Sequence, residues 1–196
     1  MSLVVAMRSG FGEVRIASDL GVYSEDGSIE VGGPKYIDLG WGAAVGAVGD
    51  RAAAQVFFDA ARALTPHPGV CWVDEYMSHL RRAFADYPDS ASGQALIVYQ
   101  GDLWTTTCEP LKTITATRLA QTFAAIGIAS QYAYGFYDAY EAAIQDTDHL
   151  LQDAIKSASQ RNAFVRGWSA LSVIRYDPEV VPTAAPRRRS RHGKRG

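Results

Sequence analysis

The order of strand-like and helix-like segments constrains the fold of this chain more than any other feature. Strand patterns come first, then a pair of helix patterns, further strands, a second helix pair and a last strand. This order lacks the regular strand and helix alternation that builds a parallel sheet with crossover helices. It favours an α+β fold in which two stacked sheets lie between two helical layers, a four-layer αββα sandwich.

The predicted strands are short apolar or alternating segments separated by turn residues. They span Leu3–Arg8, Glu13–Ser18, Trp41–Val45, Gln94–Gln100, Leu103–Cys108, Lys112–Ala116, Phe123–Ile126 and Trp168–Tyr176. The first predicted helix follows Asp50, a suitable N-cap, and stops at Pro66, while the second ends before Pro88. The other two helices are expected over Gln131–Ile144 and Thr147–Asn162.

A small hydroxyl residue, Ser2, directly follows the initiator Met1 and heads the first strand. Methionine is normally removed before so small a residue, which would leave Ser2 with a free α-amine. Such an amine titrates near about 7.7–8.0 and can take a proton from the hydroxyl of the same residue. Ser2 is therefore a candidate nucleophile that carries its own base, although a chain terminus is usually a frayed end.

Other residues join Ser2 in a recognisable pattern. Asp19 follows the second strand, Lys35 comes sixteen residues later, and the glycine-rich run 46–50 leads into the first helix. Residues 127–135, with the sequence GIASQYAYG, precede the third helix. Over nearly the whole chain to about residue 176, this arrangement resembles the proteasome β-subunits and their bacterial relative HslV, which are N-terminal nucleophile hydrolases.

The resemblance implies a role for each matching residue. Ser2 replaces the family's threonine as the nucleophile, Asp19 holds Lys35, the Lys35 charge tunes the nucleophile, and the Gly46 N–H faces the reacting carbonyl. A solvated surface ion pair is the structural alternative for Asp19 and Lys35, and a plain turn glycine is the alternative for Gly46. The substrate-pocket positions carried over from the family are Val22, Gly33, Ala44 and Val48.

Three positions depart from the proteasome pattern beside the expected nucleophile. Ile128, Asn162 and Val165 stand where the family has Ser, Asp and Ser, so the support of the α-amine differs from that in the proteasome. These departures are the main support for one alternative, a catalytically silent ring or scaffold subunit that uses its tail to bind a partner. A second alternative is an amide hydrolase that acts on a small molecule, because a fold does not define its substrate.

The resemblance further implies a self-compartmentalising peptidase built from identical subunits in a stacked double ring of about twelve to fourteen copies. Its substrate would be a peptide or an unfolded protein, and an ATP-dependent unfoldase could be a partner. The resemblance implies no cofactor, and we expect no metal because the four histidines and two cysteines show no ligand spacing. Cys71 and Cys108 are expected to be reduced thiols.

Composition and charge divide the chain into two parts. A hydrophobic fraction of 47% over 196 residues suits one domain with a sizeable core, which we expect over residues 1–178. Residues 179–196 form a tail with six basic residues and no acid after Pro186, leaving the rest with thirteen basic and twenty-one acidic residues. We expect this tail to be disordered and unsuited to specific nucleic-acid binding, because it lacks aromatic residues. Without a membrane-spanning apolar run or a signal peptide, the expected location is the cytoplasm.

Overall fold

The computed structural model describes residues 2–10, 12–23, 29–67, 69–85, 92–109 and 114–177. The predicted domain boundary at 178 and the basic tail lie outside the described residues. Within them the strands are β1 Leu3–Arg8, β2 Glu13–Asp19, β3 Gly21–Tyr23, β4 Ile29–Val31, β5 Tyr36–Asp38, β6 Ala43–Gly49, β7 Gly93–Tyr99, β8 Asp102–Cys108, β9 Ala116–Leu119, β10 Phe123–Gly127 and β11 Ser169–Arg175. The helices are α1 Arg51–Arg62, α2 Trp72–Ala85, α3 Ser130–Tyr140 and α4 Thr147–Arg161.

Two antiparallel sheets form the centre of the molecule. One has the strand order β10-β1-β2-β11, and the other has the order β5-β6-β7-β8-β9. A small third sheet, β3 with β4, follows β2. Among the described residues, six of the eight strand pairs join consecutive strands, while β1 pairs with β10 and β2 with β11 across long separations.

Three apolar layers hold the sheets and helices together. The residues between the two sheets include Val4, Ile16 and Leu96. Helices α1 and α2 cover the outer face of the five-stranded sheet around Phe57, while α3 and α4 cover the four-stranded sheet around Leu151. The predicted four-layer αββα sandwich is therefore confirmed.

Strand β1 shows why such a sandwich needs a continuous apolar run rather than an alternating one. Successive side chains of a strand point to opposite faces. Val4 and Ala6 pack against the other sheet, while Leu3 and Val5 pack under α3 and α4. Both faces of β1 are buried, so the strand that carries Ser2 at its head is held from both sides.

Helix α1 begins at Asp50, as predicted, and the same side chain ties two segments together. Asp50 Oδ1 accepts the N–H of Ala53 (2.7 Å), and Oδ2 accepts the N–H of Ser92 (2.9 Å). An N-cap aspartate commonly stabilises a helix by about 1 kcal/mol. Because Ser92 leads into β7, Asp50 also fixes the end of β6 relative to the start of β7.

Some predicted bounds were wrong. The strand expected at Trp41–Val45 forms instead at Ala43–Gly49, because pairing with β7 continues through to Gly49. The third helix ends at Tyr140 and not at Ile144. The strand expected at Lys112–Ala116 falls partly on residues outside the described part, and the strand that pairs with β8 is Ala116–Leu119. None of the helices in the described residues has the length and apolar character needed to cross a membrane.

Candidate active site

Asp19, at the end of β2, is the centre of a buried polar cluster. Its side chain is fully buried, and its Oδ1 accepts the backbone N–H of Leu3 at 2.7 Å. Its Oδ2 accepts the N–H of Gly21 (3.2 Å) and is bonded to Lys35 Nζ at 2.7 Å. A buried carboxylate needs such partners because burial without them is costly. Asp19 therefore joins the strand headed by Ser2 to the lysine.

Lys35 lies just before β5 and is held by both its backbone and its side chain. Its N–H donates to Ser18 Oγ (2.9 Å), and its carbonyl accepts the N–H of Ala47 (2.9 Å). Its Nζ also donates to the carbonyl of Gly21 at 2.6 Å, and its side chain is only 12% exposed. Burial lowers the pKa of Lys35, against the opposing effect of Asp19. The Asp19–Lys35 pair is thus a buried ion pair and not a surface one.

Ser2 is half-buried at the head of β1, one residue before the Leu3 N–H that Asp19 binds. Its carbonyl oxygen lies against Gly127, the residue paired with Leu3 in β10. A Cβ at position 127 would overlap that oxygen, and Gly127 has a φ of +108°, so only glycine suits this contact. The position of Ser2 is therefore determined on one side by Asp19 and on the other by Gly127.

A cavity of about 640 Å³ opens beside Ser2. Its walls come from the adjacent ends of β6, β7, β8 and β10, which lie at one edge of the sandwich. The wall is mixed in character and includes Gly49, Gln94, Thr107, Cys108, Glu109 and Ile128. Burial raises the pKa of the Cys108 thiol, so this cysteine is a weaker nucleophile than an exposed one. Ser2 is therefore the hydroxyl with a fixed position beside a buried charge and an open cavity.

Gly46 does not face this cavity. Ala47 donates its N–H to Lys35 on the β5 side, and N–H groups alternate in direction along a strand. The N–H of Gly46 therefore points the opposite way, toward its partner Leu96 in β7. A Cβ on Gly46 would collide with Val4 between the two sheets. The N–H of Gly46 thus points to β7, and the inner face of Gly46 packs against Val4. Gly46 is therefore not placed to donate a hydrogen bond to a carbonyl in the cavity.

Gly49, at the end of β6, has the geometry expected of the donor. The same alternation turns its N–H to the side of Lys35, while the next N–H, from Asp50, donates to Ser92 on the β7 side (3.2 Å). Gly49 lines the cavity that contains Ser2 and has a φ of +133°. The geometry of β6 thus turns the N–H of Gly49, and not that of Gly46, to the side of Lys35 at the cavity.

The four predicted pocket residues are not brought together. Ala44 is buried between the sheets, and Val48 is largely buried there but also lines the Ser2 cavity. Val22 and Gly33 are exposed, and within the described residues they are not part of the cavity wall. The small, apolar character of these residues was interpreted as a roomy pocket for an apolar side chain, but Ala44 and Val48 pack between the sheets and only Val48 also lines the cavity.

The three departures from the proteasome pattern occupy different environments. Ile128 is 46% exposed and lines the Ser2 cavity. Val165 is buried, and the Asn162 side chain accepts the N–H of Phe164 (2.9 Å) at the end of α4. In this chain, Asn162 therefore has a local structural role, and Ile128 adds an apolar surface to the cavity.

Sequence reasoning gave no role at this site to three residues: Gly49 and Gly127, which it had noted only as parts of the family pattern, and Gln94. A signal existed for Gln94, because it is the polar residue in a β7 segment whose next four side chains are fully buried. Gly49 directly precedes the helix cap, which marks it as a strand end. Within the described residues, no group of three or more His, Cys, Asp or Glu side chains is placed to hold a metal.

Comparison with known proteins supports the architecture. No protein-family profile matches the sequence, and no curated protein matches it. Solved structures do match. BPH from Thiobacillus denitrificans in complex with epoxomicin has a TM-score of 0.68 at 20% identity, over 89% of this chain and 100% of that one. HslV from Trypanosoma brucei has a TM-score of 0.65 at 14% identity, over 89% and 99%.

A third match is the helical assembly of the Anbu complex from Pseudomonas aeruginosa, with a TM-score of 0.63 at 16% identity, over 87% of this chain and 80% of that one. At such identities the similarity concerns the fold. The chain has the proteasome-like fold of the N-terminal nucleophile hydrolases.

Proposed function

We propose that this chain, which shares the fold of HslV, BPH and Anbu, is a peptidase whose nucleophile is Ser2 after removal of Met1. The observation that carries the proposal is the Asp19 cluster. One carboxylate binds both the backbone next to Ser2 and the Lys35 ammonium, and Ser2 itself lines an open cavity. A buried ion pair next to a residue of a cavity wall is a candidate for a functional site.

The proposed reaction uses two functional groups of one residue. The Ser2 α-amine takes the proton from Oγ as Oγ attacks the substrate carbonyl carbon and forms a tetrahedral intermediate. When the intermediate collapses, the C–N bond breaks, and the leaving amine takes the proton from the α-ammonium. Water then attacks the ester on Ser2, the α-amine again acting as base, and releases the acid product with Oγ reprotonated.

Lys35 and Gly49 would stabilise the charges that develop in this reaction. The Lys35 ammonium, held in place by Asp19, lowers the pKa of a nearby hydroxyl and of a nearby amine, which keeps more of the amine neutral. The Gly49 N–H, in place of Gly46, would donate to the oxyanion. Loss of one such donor costs about 2.7–4 kcal/mol of transition-state stabilisation in a studied protease.

The direct test is intact-mass measurement before and after treatment with a peptide epoxyketone, a reagent that needs both a hydroxyl and an α-amine on one residue. We expect a mass that lacks Met1, a single adduct, and mapping of that adduct to Ser2. A protein that keeps Met1 and forms no adduct would favour a silent ring subunit. An adduct on Ser2 without turnover of any peptide would favour an amide hydrolase for small molecules.

We further propose that identical subunits assemble into a closed double ring that encloses Ser2. Exposed aromatic side chains support an interface between copies, because such residues are enriched at interfaces. They include Tyr140, which stacks on Phe136 in α3, and Trp168, which is 55% exposed before β11. The C-terminal end of α3 and the start of β11 would then pack on neighbouring subunits. An unfoldase could dock on the assembled ring.

The expected result is a particle of about twelve to fourteen copies by light scattering at micromolar concentration, since identical head-to-tail contacts close into rings. Deletion of the residues after Pro186 should leave its size unchanged, because these ten residues include no apolar side chain to bury. A monomer or dimer would contradict the compartment, and an open helical particle would contradict ring closure. If the particle forms but dissociates when the tail is removed, the proposed passive role of the tail is wrong, while the ring itself remains supported.

A further inference from the structure

Gln94 is a polar side chain in a position that otherwise belongs to the core. It is the second residue of β7, and the four residues after it are fully buried. Its side chain lies on the same face as Leu96 and Val98, which pack between the sheets. From there it reaches the opposite sheet, where its Oε1 accepts the N–H of Gly127 at 3.1 Å. Gln94 thus bridges the two sheets at the edge where Ser2 lies.

This hydrogen bond determines which end of the Gln94 amide is already paired within the protein. A backbone N–H can donate only to the amide oxygen, so the contact with Gly127 identifies Oε1 without ambiguity. The other end, Nε2, carries two N–H donors and has no hydrogen-bond partner in the part of the chain that the structure describes. Since Gln94 lines the Ser2 cavity, these donors are the polar groups it offers to a bound molecule.

Gln94 and Lys35 lie on opposite sides of the proposed reaction centre. Lys35 precedes β5 and Gln94 lies in β7, and β6, which ends at Gly49, runs between them. On the other sheet, Asp19 ends β2 and Gly127 ends β10, with β1 and Ser2 between them. A peptide that lies over Ser2 along the direction from Lys35 to Gln94 would pass Gln94 on the side of Ser2 away from Lys35.

We propose that Gln94 is a substrate-binding residue whose Nε2 donates a hydrogen bond to a backbone carbonyl oxygen of the peptide segment on the side of Ser2 away from Lys35. This inference rests on the proposed peptidase function. A carbonyl is the acceptor that every peptide residue provides, whereas a small electrophile without a peptide backbone provides none there. A site with a dedicated donor discriminates against molecules that leave the donor unpaired.

Two substitutions distinguish the contribution of the Gln94 amide oxygen from that of the amide nitrogen. Gln94→Glu keeps an oxygen for the Gly127 N–H but removes both N–H donors. Gln94→Met has a similar length and removes the acceptor as well. Gln152→Glu, on the exposed side of α4, is the matched control for the added negative charge. The measurements are the rates of Ser2 modification by a peptide epoxyketone and by phenylmethanesulfonyl fluoride, followed by intact mass, together with the thermal unfolding temperature.

For Gln94→Glu, we expect modification by the peptide epoxyketone to slow by about tenfold or more, because a donor to the peptide is lost. Its reaction with the sulfonyl fluoride and its unfolding temperature should stay close to those of the unmodified sequence, and Gln152→Glu should change neither rate. Gln94→Met should also unfold at a lower temperature, since the Gly127 N–H loses its acceptor.

Equal rates of peptide modification in Gln94→Glu and in the unmodified sequence would overturn the inference and leave the proposed function standing. An equal slowing by both reagents would also overturn it, since a general effect on Ser2 would explain the result. If neither reagent modifies Ser2 in the unmodified sequence, the proposed function itself fails, and the inference fails with it.

Discussion

Replacement of Ser2 by alanine is expected to reduce peptide hydrolysis by about four orders of magnitude or more, the scale at which loss of a catalytic nucleophile acts. The substitution removes Oγ but keeps the α-amine and the β-carbon. The Leu3 N–H to Asp19 bond uses backbone atoms, and the Gly127 contact uses the Ser2 carbonyl, so both remain. Peptide cleavage and covalent labelling should therefore be lost while the unfolding temperature and particle size are unchanged.

Ser2→Thr is the matched control, because threonine keeps both the oxygen and the amine and adds a methyl group that restricts the side-chain rotamer. It should retain peptide cleavage and a single adduct. Cleavage by Ser2→Ala at the rate of the unmodified sequence would eliminate Ser2 as the nucleophile. Cys108 contributes a thiol to the cavity wall, so the double variant Ser2→Ala, Cys108→Ala would show whether any residual reaction comes from this thiol.

Replacement of Lys35 by methionine is expected to reduce both activity and stability. Asp19 has no exposed side-chain surface, and Lys35 is 12% exposed, so the change leaves a buried carboxylate without its cation. Removal of one partner of a buried ion pair costs about 3–5 kcal/mol in the free energy of unfolding. Activity should fall by about tenfold or more, equivalent to about 1.4 kcal/mol of transition-state stabilisation. Chemical denaturation and steady-state peptide hydrolysis measure the two effects.

Arg62→Met is the control for this experiment. Arg62 pairs with Asp59 on the exposed face of α1, where both side chains are more than half exposed. Such pairs are worth about 0–1 kcal/mol, so the control should unfold nearly as the unmodified sequence does. Asp19→Asn should impair activity in the same direction as Lys35→Met by releasing the ammonium. Unchanged kinetics in both Lys35→Met and Asp19→Asn would show that the Asp19–Lys35 pair has only a structural role.

The pH–rate profile distinguishes the Lys35 charge from a purely structural effect. Burial lowers the pKa of Lys35, so its charge should be lost at a lower pH than that of an exposed lysine. The rate should accordingly fall on the alkaline side as that pKa is passed. An arginine keeps its charge at every accessible pH. In a folded Lys35→Arg variant, the decrease in rate should therefore shift to higher pH or disappear.

Local sequence patterns were sufficient for the layers and for the centre of the site. Apolar runs and helical periodicity identified the sandwich, and Asp50 was recognised as the cap of α1. The pattern also named Asp19 and Lys35, which form a buried ion pair, and the Asp19 carboxylate accepts the N–H of Leu3, the residue after Ser2. These features depend on short segments and on the spacing of family residues, and both can be identified from the sequence alone.

Tertiary structure alone decided which groups face the cavity. Gly46 and Gly49 are both glycines in one strand, and only the pairing of β6 with β5 and β7 determines which N–H points to Lys35. Gln94 meets Gly127 across thirty-three residues because the two sheets pack face to face. Strand register and sheet packing depend on the burial of many side chains at once, and a shift of one residue reverses every face. No single segment contains that information, so the cavity and its donors emerge only from the assembled sandwich.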